Sequence, residues 1–217
     1  ENDHIKACFG FDSIVGNYAS PETPGSAYVL LHHVFGEVDG EKGAWGHALG
    51  GMGSITNIMK TVCEENGVDI STKTSVSKVL IENNKATGVK IDDGSVIHSD
   101  KVVSNLNPKL LFSKLVNKED VDKEYLRKIL NYKCGSGTFR MNVALSELPD
   151  FNCLPGKIAS DHHKSGIVIA PTFTYMDKAF TDAKQYGWSK NPIVEMLIPS
   201  TVDSSLAPKG KHVASLF

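Results

Sequence analysis

The sequence predicts an α+β fold: a mixed or antiparallel sheet with flanking helices, plus a separate β meander. Three observations carry this expectation. Apolar residues recur at helical spacing, as Ile55, Ile58, Met59 and Val62 do at i, i+3, i+4 and i+7. Short strand-like runs between residues 76 and 104 are divided by close turn signals. Helical and strand patterns interleave along the chain without repeated strand–helix–strand units.

The elements follow in order. Two prolines, a glycine and cap formers make Ser20–Ser26 a loop. Ala27–Phe35 reads as a helix with Tyr28, Leu31 and Phe35 on one side, and 36–43 as a charged turn. Trp45-Gly-His-Ala-Leu-Gly-Gly-Met-Gly53 is a glycine cluster opening a helix over Ser54–Asn66, which Asn66-Gly67 stops. Val76–Ile81, Ala86–Ile91 and Val96–His98 read as strands, joined at Asn83-Asn84 and Asp92-Asp93-Gly94. Lys101–Ser104 reads as a fourth strand, apolar enough for a larger parallel sheet.

Asn107 as cap and Pro108 at the first position start a helix with Leu111, Phe112 and Leu115 on its buried side. A second helix spans Asp120–Asn131 with Val121, Tyr125 and Ile129 inward. Gly135-Ser-Gly137 reads as a turn and Thr138–Leu145 as a strand. Tyr175–Tyr186 is a helix closed by Gly187, and Ile193–Pro199 and Val213–Phe217 are strands.

Bulk properties exclude several classes. The chain has 217 residues, 41% hydrophobic and 22% charged, with a formal net charge of -2. Interspersed charges leave no nucleic-acid face and no polybasic membrane patch. No apolar run approaches the roughly 20 residues that cross a bilayer. Cys8, Cys63, Cys134 and Cys153 form no CxxC pair and read as separate reduced thiols in an intracellular protein. The abrupt ends lead us to expect a piece of something longer.

No motif gives a reaction by itself. Gly51-Met-Gly53-Ser-Ile-Thr56 approaches the dinucleotide fingerprint but has no strand before it and no acid-ended strand after it. A glycine-rich helix start kept for packing is the other reading. His32-His33 point different ways on a helix, and Asp161-His162-His163 reads as surface or polar core, so no metal is expected. HExxH and GxSxG are absent. Asp12, Glu22, Asp39, Glu147, Asp150, Asp177 and Glu195 are scattered acids that spacing pairs with nothing and that read as solvated. Phe180, Tyr186 and Trp188 read as core.

Several stretches together resemble one family. The ordered set is Trp45 with Gly50-Gly51-Met52-Gly53, then Gly67-Val68-Asp69-Ile70, the Val76 strand, Gly88-Val89, Asp93-Gly94, Asp100-Lys-Val-Val-Ser-Asn105 and Asn107-Pro108. It resembles phytoene dehydrogenase-like flavoproteins of the FAD-dependent amine oxidase and desaturase superfamily. Ser20–Ala27, Ser136–Pro149, Val194–Thr201 and Ser205–Val213 resemble one branch, that of pyridine nucleotide-disulfide oxidoreductase domain-containing protein 2. The missing CxxC argues against disulfide redox chemistry.

The resemblance implies a central fragment, with the dinucleotide fingerprint and a C-terminal flavin segment outside it. It implies a substrate domain from 1–67 and 107–217, and a β meander of the FAD-binding domain at 68–106. FAD would be met by the backbone of Val76, by Ser104 and Asn105, and by Gly50 and Gly51. Met52, Gly53 and Ser54 would face substrate, unless Ser54 is a helix cap and Met52 a core residue. The implied reaction moves a hydride from a substrate C–H to flavin N5, on a small apolar or lipid-like molecule. The fragment alone would hold FAD weakly and be inactive. The alternatives are a non-catalytic scaffold keeping the flavoprotein fold, and a flavin enzyme that isomerises a lipid-like substrate without net oxidation. The location would be cytoplasmic in a bacterium or mitochondrial in a eukaryote.

Overall fold

The computed structural model describes residues 2–135 and 137–217. Its helices are α1 (Asp3–Asp12), α2 (Ser26–His32), α3 (Met52–Glu65), α4 (Pro108–Leu110, continuing as a π-helical turn over Leu111–Leu115), α5 (Lys123–Leu130), α6 (Asp161–Lys164) and α7 (Phe173–Tyr186). Its strands are β1 (Glu37–Val38), β2 (Glu41–Lys42), β3 (Val76–Glu82), β4 (Lys85–Ile91), β5 (Val96–His98), β6 (Met141–Leu145), β7 (Ile167–Ile169), β8 (Val194–Leu197) and β9 (His212–Leu216). This is the expected α+β class. The chain divides into two compact units, one running to Thr61 and resuming at Gly135–Phe217, the other Val62–Cys134.

In the first unit four strands form one antiparallel sheet in the order β6-β9-β8-β7. Leu148, Ile198 and Ala214 are buried on it, with Leu145, Ile167, Met196 and Leu216 around them. A second core joins α1 to α7 through Ala7, Phe11, Ile14, Ala170 and Met176. Gly10 makes this packing possible, because a Cβ there would lie 2.7 Å from the Phe173 ring. Asn2 starts α1 by accepting the amides of His4 and Ile5. Thr172 and Gly187 bound α7.

In the second unit β3, β4 and β5 form the antiparallel meander that the sequence predicts. Asn83 and Asn84 both hold positive φ (50° and 63°), as a two-residue hairpin turn requires. Gly88 is the tightest point of the meander. Its φ is +151°, and a Cβ there would lie 2.2 Å from the Ile97 carbonyl oxygen. Phe112 and Tyr125 meet edge to face at 5.4 Å.

The structure corrects several expectations. Lys101–Ser104 is not a strand. Ser99 bonds locally to the Lys101 carbonyl and amide, which competes with a ladder, and Val103 is 96% exposed. Every named strand pair among the described residues is antiparallel, so no parallel sheet receives that segment. The helix expected from Asp120 starts at Lys123, because the Asp122 carboxylate caps it through the Tyr125 amide. Tyr125 points outward rather than in. The charged turn at 36–43 is a small β1–β2 hairpin. Tyr186 and Trp188 are exposed, not core. The turn expected at Gly135–Gly137 centres on Ser136, which lies outside the described residues. No helix among them is long and apolar enough to cross a membrane.

Replacing Gly88 with alanine forces both the positive φ and the carbonyl contact. We expect a loss of about 2 kcal/mol or more, measured as a lower urea midpoint with faster amide exchange in β3–β5.

Candidate functional site

The glycine cluster is a turn that launches α3. Gly50 and Gly51 hold φ of +80° and +81°, which a side chain would strain. The Gly51 amide donates to the Ala48 carbonyl at 2.9 Å, and the Ser54 amide donates to the Gly51 carbonyl at 3.1 Å. The Ser54 hydroxyl donates to that same carbonyl at 2.7 Å. Ser54 is therefore engaged in the first turn as a donor and is not an N-cap acceptor. Met52 is 76% exposed, which removes the core reading for it. A Cβ on Gly53 would meet nothing within 4 Å. The turn offers an open surface, poor in side chains, beside an exposed thioether.

A second segment grips this turn. Asp203 is buried, and its Oδ2 accepts the Gly50 amide at 2.7 Å. Its Oδ1 accepts the Ser205 hydroxyl at 2.6 Å and the Ser205 amide at 3.0 Å. The His47 Nε2 lies 3.7 Å from Oδ2. The Ser205 hydroxyl first, then the Gly50 and Ser205 amides, hold the Asp203 carboxyl below the usual carboxylate range. Leu206 sits 3.3 Å from where a Gly51 Cβ would be. Sequence reading passed over Asp203, because its partners on the glycine turn, Gly50 and His47, are far away in the chain.

The other predicted FAD contacts belong to the second unit. Val76 opens β3, an edge strand, and pairs with Ile91. Ser104 and Asn105 are exposed in an irregular segment, and the Ser104 hydroxyl accepts the Leu106 amide at 3.2 Å. Among the described residues no three His, Cys, Asp or Glu side chains are grouped to hold a metal. His163 is buried, with its Nε2 on the Pro149 carbonyl at 2.9 Å.

Glu195, which spacing left unpaired, lies within reach of the Asp12 charge in the first unit. Glu195 lies on β8, and its Oε1 occupies space that Gly166 leaves, 3.2 Å from an added Cβ. Burial raises its pKa and the Asp12 charge raises it further, while His33 opposes both. His33 stacks on Trp45 at 5.7 Å, and the Trp45 indole donates to the His33 carbonyl at 3.3 Å.

At Gly53 the backbone is open, and the Met52 side chain is exposed beside it. A flat ring can approach Gly53 and Met52 closely. The turn carries no lysine or arginine for a pyrophosphate, and its histidine faces Asp203.

Comparisons with known proteins agree with the resemblance in the sequence. A family model described as flavin containing amine oxidoreductase matches residues 3–138. The pyridine nucleotide-disulfide oxidoreductase domain-containing protein 2 of Mus musculus is 36% identical over 222 residues, covering 100% of this chain and 38% of that protein. The chloroplastic prolycopene isomerase of Daucus carota is 26% identical over 82% of this chain and 26% of its own length. A lycopene-forming phytoene desaturase of Pseudescherichia vulneris is 23% identical over 97% of this chain and 39% of its own. The chain thus spans well under half the length of these relatives. The crystal structure of an oxidoreductase from Methanosarcina mazei superposes with a TM-score of 0.63 at 23% identity, over 99% of this chain and 43% of that one. That likeness shows the fold.

The raised Glu195 pKa has a definite sign. Its contribution to stability is present below the ordinary glutamate value and is lost as pH rises through the raised value. Asp12→Asn should bring the Glu195 titration, followed by NMR at its side-chain carboxyl, back towards the ordinary range. Glu195→Gln should raise the unfolding midpoint at neutral pH and not in acid.

Proposed function

We propose a function that proceeds from one fact: the chain belongs to the flavin containing amine oxidoreductase family. It is the central part of a longer FAD-dependent oxidoreductase. Support comes from its alignment over its whole length to 38% of the mouse relative. Within these residues no GxGxxG follows a strand. The FAD pyrophosphate would be held by residues other than these, and this chain by itself would retain little flavin.

The observation that carries the reading is the open turn Gly50–Gly53 with Met52 exposed beside it. When bound, FAD supplies the acceptor for a hydride removed from a substrate C–H. The chain's own residues supply shape. Gly53, where an added Cβ would meet nothing within 4 Å, lets a flat ring and substrate come close to the backbone, and Gly50 and Gly51 supply the positive-φ turn that presents it. Met52 offers a soft apolar contact, suited to a lipid-like or polyene chain. Ser54 holds the first turn of α3 by its bond to Gly51. In the second unit, the backbone of Val76, with Ser104 and Asn105, would be the residues that contact the cofactor. Such chemistry would require no strong acid or base from these residues.

The full-length flavoprotein, mixed without oxygen with a polyene lipid, should lose oxidised-flavin absorbance and give a product two hydrogens lighter. An isomer of equal mass with the flavin unchanged would instead favour chemistry of the kind named for the carrot relative. A full-length protein purified without flavin would overturn the reading in favour of a scaffold. Met52→Ala should raise KM about tenfold with little change in kcat. For Gly51→Val we expect loss of bound flavin, seen in the absorbance ratio of the purified protein.

A further inference from the structure

We propose that Asp203 is a positioning residue for the glycine turn: its carboxylate fixes Gly50 and so sets the direction in which α3 presents Met52, Gly53 and Ser54. The proposal rests on the flavin reading for its purpose and on geometry for its substance. Residues 203–206 hold residues 47–51 at three points. These are the 2.7 Å bond from the Gly50 amide, the His47 imidazole 3.7 Å away, and the Leu206 side chain against Gly51.

The two carboxylate oxygens divide the work. Oδ1 is committed to Ser205, which orients the carboxylate, and Oδ2 is left for the turn. A carboxylate accepts on both oxygens at once, whereas an amide of equal shape has one accepting oxygen, which the two converging Ser205 donors hold, so that its NH2 is turned to the Gly50 amide. Gly50 and Gly51 both hold positive φ, a conformation glycine adopts without being locked in it. A charge-assisted bond to the first of them removes that freedom at the point where the helix begins. His47, on the same turn, is the charged or titratable group facing Asp203, so the turn carries its own counter-group.

The test uses the full-length protein with bound flavin. Asp203→Asn should speed hydrogen exchange at the Gly50 amide at least about tenfold, shift the flavin absorption band, and raise substrate KM more than it lowers kcat. Ser205→Ala leaves the Gly50 bond in place and should change Gly50 exchange less than about threefold. Unchanged Gly50 exchange in Asp203→Asn overturns the proposal. So does faster exchange with an unmoved flavin band and KM, which would make Asp203 a tie within the fold and nothing more. A wild-type protein without flavin sinks the flavin reading, while Gly50 exchange still judges the grip. If Asp203→Asn does not fold, acid titration of the wild type decides. The Gly50 amide signal should move with a midpoint below the ordinary carboxylate range, and a signal that stays flat there overturns the proposal.

Discussion

The bond from the Gly50 amide to the Asp203 carboxylate joins positions 153 residues apart, and the start of α3 depends on it. A double glycine turn has little conformational preference of its own. Local bonds from Gly51 to Ala48 and from Ser54 to Gly51 close the turn, but they do not anchor it to the sheet side of the unit. The 203–206 segment supplies that anchor. It follows directly on Pro199–Thr201, whose hydroxyls at Ser200 and Thr201 bond to Val213 and to the carbonyls of Ile198 and His163. The turn is thereby linked through hydrogen bonds to the β8–β9 pair.

The helix that this turn starts is unusual in another way. No residue of α3 is buried, and Ile58 and Met59 are 65% and 62% exposed. An isolated amphipathic helix of this length is marginal in water. What defines it here is its two ends. At the start stands the glycine turn. At the end Gly67 donates to Glu64 and Val68 to Cys63, the paired bonds of a Schellman stop.

How much of this was legible follows from the range of each interaction. The meander, α7 and the stop at Gly67 are set by neighbours within a few residues, and cap and turn residues announce them. Helix α1 was not visible, because two of its three buried residues, Ala7, Gly10 and Phe11, are small. Gly10 lowers helix propensity and hides the period, yet it is what lets Phe173 approach. Lys101–Ser104 erred the other way: two valines looked like a strand, and a ladder needs a partner that composition does not reveal. In the candidate site the glycines and Met52 were legible as a motif. Asp203 was not, since an acid beside two serines reads as a solvated loop until the fold brings Gly50 to it.

The two perturbed acids of the first unit show why burial alone does not decide a carboxyl group's charge. Asp203 is nearly as inaccessible as a core residue, yet its pKa falls, because two amides and a hydroxyl point at its oxygens and favour the anion. Glu195 is less buried, yet its pKa rises, because burial there is not offset by donors aimed at its oxygens and the like charge at Asp12 adds to it. Their effects on stability oppose each other. Acid protonates Asp203 only below the ordinary range and then loosens the glycine turn, while it relieves the repulsion at Glu195 well before that. Between those two points the turn is held and the sheet is at its least strained. The local donors that keep Asp203 ionised therefore do more than satisfy a buried group: they extend the pH range over which the entrance to α3 keeps its shape.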